Sequence, residues 1–409
     1  LAEKAARVSI PTIELALHLA LPIRYYSMEL QYTEDQLMVR DTVRDFALSE
    51  LAPGAAERDE NEIFPTEQVK KLGELGFMGV TVPPENGGSG LDMVSYSIIV
   101  EELARVDASC SIIVSVNNSL VCYPLEKFGT PEQKELYLKP VAAGKLLGAF
   151  ALSEPESGSD AGSMKCTAVR DGDSYILNGV KNFITTGSHA DLIMVIAVTD
   201  PKKGSRGTTA FLIDTKLPGF SVGKKEKKLG LRSSDTVQIV FSDFRTPLIS
   251  RIGDEGSGFK LALGTLNSGR IGVASQALGI AQASLDESLK YSKERKQFGE
   301  PIGNFQATRA KIARMAMDIA AGRLLIYQAC NRKDKGESYI KEAAMAKLFC
   351  SEVAVRNALE AVQIHGGYGY IKEYPVERYL RDSKITTIYE GTNEVMHLII
   401  ADQLMGRPE

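Results

Sequence analysis

The spacing of apolar residues changes twice along the chain. From Met28 to about Lys145 they recur at helical intervals, and 65–76, 93–105 and 109–128 each predict a helix with one apolar face. Two helix starts are marked more sharply. Thr33 to Gln36 and Thr130 to Gln133 fit capping boxes, the second with Pro131 at the first helical position, where a missing N–H costs nothing. From Leu146 to about Gly253 the pattern becomes short and extended. The runs 174–184, 192–198, 208–214 and 236–241 are rich in β-branched and aromatic residues and are separated by Gly, Pro and Asp turns, so they predict strands. Beyond Gly258 the helices return at greater length, over 259–294, 304–331 and 339–364, as an antiparallel bundle requires. Gly366, Gly367 and Gly369 end the last of these, and a short linker leads to a further helix start at Thr392.

This pattern divides the chain into an extension, 1–27, an N-terminal helical domain, 28–145, a middle β domain, 146–255, and a C-terminal helical domain, 256–409. Its length of 409 residues exceeds one ordinary core. The extension begins at Leu1 without a methionine. Glu3, Pro11, Glu14 and Pro22 interrupt any apolar signal-peptide core, and the acids weaken a transit-peptide reading. The glycine-rich run 83–90 reads as a plain connection, because no Lys-Ser/Thr follows as in a phosphate-binding P-loop. Lys224, Lys225, Lys227 and Lys228 suit a solvated edge or turn, where lysine protects an edge strand.

Composition removes several function classes. With 44% hydrophobic and 24% charged residues the chain has the balance of a globular protein, and a net charge of -4 leaves no basic footprint for nucleic acid. No stretch approaches the roughly 20 uncharged apolar residues that span a bilayer, so no membrane partner is expected. The five cysteines are scattered and odd in number, which favours a reducing compartment, and the four histidines have no metal-ligand spacing, so no metal is expected. There is neither a G-x-G-x-x-G turn between strand and helix nor a Walker loop.

One carboxylate stands out. Glu390 falls just outside the helix that Thr392 caps, beside Gly391, whose missing Cβ lets a ligand approach the backbone. The helix dipole and an apolar cover pull such an acid's pKa in opposite directions, which makes an adjustable acid or base. A carboxylate here can equally do no more than support the dipole.

Three motifs in order, Ala-Leu-Ser-Glu-Pro-Glu-Ser-Gly-Ser-Asp at 151–160, Gln-Ile-His-Gly-Gly-Tyr-Gly-Tyr at 363–370 running on to Arg378 and Asp382, and Ile-Tyr-Glu-Gly-Thr at 388–392, resemble the acyl-CoA dehydrogenase family. The resemblance covers 28–405. It implies an α+β fold with an N-terminal helical domain, a central β-barrel or sandwich and a C-terminal four-helix bundle, assembled as a homotetramer that binds FAD. It also implies that Glu390 removes the α-proton of an acyl-CoA thioester while FAD takes the β-hydride, the enolate being held by the Glu390 backbone N–H and a ribityl hydroxyl. Electrons then pass to an electron-transferring flavoprotein.

By the same resemblance Phe150, Leu152, Ser153 and Ser159 lie over the flavin and the CoA arm, and Phe183, Ile184 and Thr185 lie beside the flavin ring. Arg295, Gln306, Gln363, Ile364, His365, Gly366 and Gly367 reach the FAD pyrophosphate and adenosine, partly from a neighbouring subunit. Thr392, Asn393 and Glu394 close the cofactor pocket. Asn267, Ser268, Gly269, Arg270 and Gly391 match the substrate side, although Arg270 can instead serve an ion pair between helices. Many relatives carry Trp where Phe183 stands, and this chain has no Trp. Other branches place the base in the segment matching 266–270, which holds no acid here. Residues 270–276 and 374–378 look most like short-chain (butyryl) and short branched-chain members, of the bacterial cytoplasm or the mitochondrial matrix. An acyl-CoA oxidase is the first alternative, disfavoured because oxidases run on well past the catalytic helix; a flavin-free CoA-binding protein on the same scaffold is the second.

Overall fold

The computed structural model describes residues 32–406, so the extension 1–27 lies outside the described residues. Both capping boxes form, at Thr33 for the helix Glu34–Phe46 and at Thr130 for Pro131–Gln133. Asp92 and Asp107 cap Met93–Ala104 and Ala108–Val116 in the same way, with side-chain oxygens accepting backbone N–H groups of the first turn. Ala108–Val116 continues through a π-helical turn, Asn117–Cys122, into Tyr123–Phe128. By length and composition the run Ala108–Phe128 could cross a membrane, contrary to the expectation that no stretch comes close; its apolar part is almost wholly buried inside the fold, so it is a core helix. The π turn has a positional consequence. It exposes Asn117 and Asn118 to neighbouring chain ends, where their side-chain oxygens accept from Gly148 N at 2.9 Å and Val80 N at 2.7 Å.

The middle region contains strands β1 (Gly148–Ala151), β2 (Thr167–Asp171), β3 (Ser174–Thr185), β4 (Leu192–Val198), β5 (Thr208–Asp214), β6 (Phe220–Lys225), β7 (Thr236–Pro247) and β8 (Arg251–Ile252). Their pairing runs β6-β7-β3-β2-β4-β5-β8, with β1 also parallel to β4. Since β2 meets β4 only at Thr167 and Val198, two sub-sheets meet there. Tyr175, Leu177, Val237, Ile239 and Phe241 of one pack against Ile193, Val195, Phe211 and Ile213 of the other. The arrangement is therefore a sandwich, open at β6 and β8 among the described residues, and not a closed barrel. Strands β4 and β5 also bury their second face, since Leu192, Met194, Ile196 and Leu212 pack with Val121, Leu125, Leu138 and Leu261. That explains their continuous apolar runs. The lysine-rich stretch straddles the end of the solvated edge strand β6, with Lys224 and Lys225 on it and Lys227 and Lys228 in the loop that follows, where Lys228 is half-buried and donates to Ser234 O at 2.7 Å.

Four helices dominate the C-terminal region: Gly258–Glu294, Gln306–Asp334, Ile340–His365 and Asn393–Met405. The stretch expected as a linker before Glu390 is different. It holds another helix, Val376–Ile385, with Val376, Tyr379, Asp382 and Ser383 buried; two of those four are polar, which hid the amphipathic period. Asp382 accepts from Leu231 N at 2.6 Å and Arg381 pairs with Asp59 at 2.7 Å, so this helix ties together all three regions just ahead of Glu390.

Candidate active site

The turn that carries Glu390 is closed by its own backbone: Ile388 N donates to Ile385 O at 2.8 Å and Asn393 N to Thr387 O at 3.0 Å. Thr392 then caps the next helix, accepting from Val395 N at 3.4 Å. Closure forces Glu390 to φ 53° and Gly391 to φ 102°. The left-handed region costs a non-glycine residue about 1–3 kcal/mol and persists only where the surroundings over-determine it. The carboxylate is aimed inward. Its Oε2 is buried with no hydrogen-bond partner among the described residues, and burial pushes the acid up to about 7 against the opposing pull of Arg270 and Lys347. Supporting the helix dipole falls to another acid. Glu394 stands exposed in the first turn, held below its ordinary range by the backbone N–H at the helix start and by Thr392.

The substrate-side candidates form the floor beneath this carboxylate. Gly269 lies directly under it, since a Cβ there would sit 1.9 Å from Glu390 Oε2. Arg270 is buried; its Nε donates to Glu390 O at 3.4 Å and its Nη1 to Asn267 Oδ1 at 2.5 Å, and burial lowers it to about 10. Ser268 faces elsewhere, accepting from Lys333 Nζ at 2.5 Å. Arg270 is thus bonded to the backbone of the Glu390 turn, an arrangement that neither sequence reading of it describes. Gly391 leaves room for Met396, whose Cε would lie 2.6 Å from a Cβ there.

The residues expected around the flavin ring are brought together by one close junction. Asn182 N donates to Ser153 O at 2.9 Å, and buried Lys181 reaches Leu152 O at 3.0 Å and Glu154 at 2.7 Å. Between Lys181 and Ile184 the register with β7 slips, and Phe183 takes φ 58° with its side chain 64% exposed. The irregularity turns an apolar ring outward on the residue that follows the Asn182–Ser153 bond. Phe150 packs between two cores, Ile184 is buried, Thr185 is half-buried and Ser159 stands exposed on the following loop. Thr186, which sequence reasoning missed, is buried with an Oγ1 that has no partner among the described residues.

Arg295, Ile364, His365, Gly366 and Gly367 line a separate cavity of about 460 Å³, together with Tyr291 and Tyr368. Gln306 and Gln363 do not line it; both are exposed at helix ends nearby. Arg295 lies 5.4 Å from the Tyr368 ring centre, and His365 stacks on Tyr291 at 4.1 Å. His365 Nδ1 faces Ala361 O at 2.8 Å, whereas its Nε2 is buried and unpartnered among the described residues. Gly366 and Gly367 have open space where a Cβ would lie. A cation, open backbone and an unused imidazole nitrogen fit the anionic end of a dinucleotide; the outward Phe183 fits a flat ring. These features match the groups that FAD would present. A larger cavity of about 770 Å³ takes in Tyr374, Glu377 and Arg378 with Arg44 and Glu102, and none of the candidate site residues.

Family models cover nearly all of the described chain. The acyl-CoA dehydrogenase N-terminal domain matches 33–145, the middle domain 149–244 and the C-terminal domain 256–405. The chain is 49% identical over 381 residues to the mitochondrial short-chain specific acyl-CoA dehydrogenase of Mus musculus, covering 93% of this chain and 92% of that one. The butyryl-CoA dehydrogenase structure from Megasphaera elsdenii superposes with a TM-score of 0.91 at 46% identity, over 92% of this chain and 100% of that one. A chain from a structure of the electron transferring flavoprotein of Acidaminococcus fermentans, described in terms of flavin-based electron bifurcation, gives 0.92 at 48% identity, over 93% and 100%.

Proposed function

The chain belongs to the acyl-CoA dehydrogenase family of FAD-dependent oxidoreductases, and we propose that it converts a short-chain acyl-CoA to the trans-2-enoyl-CoA with Glu390 as the base. The observation that carries this reading is the Glu390 carboxylate itself. It is buried, has an unpartnered oxygen and is raised to about 7. A general base works best when its pKa lies near the operating pH, and at about 7 the group is half ionised in neutral solution.

The reaction breaks the Cα–H bond to give a proton and the Cβ–H bond to give a hydride. Glu390 Oε2 takes the proton. When bound, FAD supplies the hydride acceptor, at N5, for which no side chain can substitute. The backbone N–H of Glu390 donates to no acceptor among the described residues and suits the thioester oxygen as negative charge develops there. Leu152, Ser153, Phe183, Ile184 and Thr185 would hold the flavin ring, while Arg295, Gly366 and Gly367 would hold the pyrophosphate and adenosine side.

A short acyl group, a homotetramer, an electron-transferring flavoprotein as acceptor and a cytoplasmic setting complete the reading. The similarity to a short-chain enzyme, to a butyryl-CoA dehydrogenase and to a chain from an electron transferring flavoprotein structure supports it. Steady-state assays with butyryl-, isovaleryl-, 2-methylbutyryl-, octanoyl- and palmitoyl-CoA test the substrate. The likeness to short-chain relatives puts the expected optimum at about four or five acyl carbons, and since each buried methylene is worth about 0.8 kcal/mol, neighbouring lengths should differ several-fold. A palmitoyl-CoA optimum would overturn the substrate class, and faster turnover with O₂ than with the flavoprotein would make the chain an oxidase.

The exposure of Arg295, Gly366 and Gly367 carries a further expectation. If a neighbouring copy completes their cavity, FAD occupancy should fall as the protein is diluted from tetramer to monomer. Analytical ultracentrifugation read at the flavin absorbance checks this; a monomer retaining full FAD would contradict it.

A further inference from the structure

Lys347 is the least expected group near Glu390. It lies on Ile340–His365, is 0% exposed, and is 44 residues away in sequence from the backbone it binds. Its Nζ donates to Gly391 O at 2.7 Å and to Asn393 Oδ1 at 2.9 Å, and Ser351, one turn on, donates to the same Oδ1 at 3.0 Å. A buried ammonium is costly unless its charge is answered. The acids that answer it are Glu390 and Glu394, and Arg270 opposes it.

We propose that Lys347 is a positioning residue for Glu390: its ammonium clasps the turn on both sides of Thr392, holds Glu390 in the left-handed conformation, and favours the ionised carboxylate. The inference rests on the reading of Glu390 as the base. Two independent features carry it. The first is geometric: the hydrogen bonds end on Gly391 and Asn393, the residues whose placement fixes where the Glu390 side chain leaves the backbone. The second is electrostatic. The groups whose charge interacts with Glu390 are Arg270 from the long helix, Lys347, Tyr96 from Met93–Ala104, and the adjacent Tyr389. Only the first two are cations at neutral pH. Burial lowers Lys347 to about 8, so its support persists below that pH and fades above it.

The test compares Lys347→Met, Lys347→Arg and Ser351→Ala with wild type, using butyryl-CoA and a dye acceptor across pH. Removing one of two nearby cations should move the acid limb of kcat/KM upward by about one pH unit, whereas Lys347→Arg keeps the charge and should leave the limb in place with a lower kcat. Ser351→Ala loosens only the Asn393 end and should lower kcat without moving the limb. An infrared titration of the Glu390 carboxyl band, assigned by subtraction of Glu390→Gln, should show the same upward shift in Lys347→Met without turnover. A Lys347→Met enzyme with an unmoved limb and an unmoved carboxyl band overturns the proposal. If that variant does not fold with flavin, wild-type kcat in both Lys347→Arg and Ser351→Ala overturns it instead. Wild-type turnover in Glu390→Gln would remove the base assignment itself; loss of turnover there, with Lys347→Met unchanged, removes only the role of Lys347.

Discussion

Glu390→Gln should retain FAD and bind acyl-CoA, yet lose at least the ~10²–10⁴-fold in kcat that general-base catalysis contributes. The amide is nearly isosteric, so the turn, its backbone bonds and the Thr392 cap remain. What is lost is the ability to accept a proton. No neighbouring acid can take over, because Gly269 occupies the floor and Glu394 points to solvent. Folding should not suffer. The native site raises the carboxyl from 4.5 to about 7, so the acid form is the one the fold favours. The stability it contributes is fully present below pH 4.5 and is lost as pH rises through 7, and an uncharged amide escapes that loss. Rapid-mixing measurement of flavin bleaching by butyryl-CoA, with bound FAD quantified from its absorbance, separates the two claims. A flavin-loaded variant that bleaches at the wild-type rate would falsify the assignment.

The sequence was most legible where burial on both faces or a cap leaves a local signature. Strands β4 and β5 are legible to the residue because Leu192–Val198 is an unbroken apolar run and Thr208–Asp214 is a β-branched and aromatic one, each set between turns. Strand β6 is almost wholly exposed and β1 has four residues, so neither has a period to detect. At the site, Glu390 was visible from its place before a cap and from family motifs. Lys347 was not, because a single lysine between Ala346 and Leu348 looks like any helix residue until the distant turn closes over it. The same holds for Thr186 and for the aromatic neighbours Tyr291 and His365, whose partnership depends on two helix ends meeting.

Gly269 links that legible motif to geometry that only the fold supplies, and Gly269→Ala should cost about 10²-fold in kcat while leaving the protein at least as stable as wild type. The activity loss follows from space: a Cβ at this position would lie 1.9 Å from Glu390 Oε2, 2.9 Å from its Cδ and 3.0 Å from Leu120 Cδ2. The carboxylate must therefore shift by about an ångström, a displacement of a reacting group that typically costs about 10²-fold. The opposite sign for stability follows from the backbone. Gly269 sits inside the long helix and does not take a left-handed φ, and replacing a mid-helix glycine by alanine contributes roughly 0.5–1 kcal/mol. The far end of a flexible Glu side chain gives way more readily than the helix does. Thermal unfolding of the flavin-loaded variant beside its single-turnover rate tests both halves. A wild-type rate would mean that the carboxylate works from another position, and a fall in melting temperature with loss of FAD would mean that the helix, rather than Glu390, had yielded.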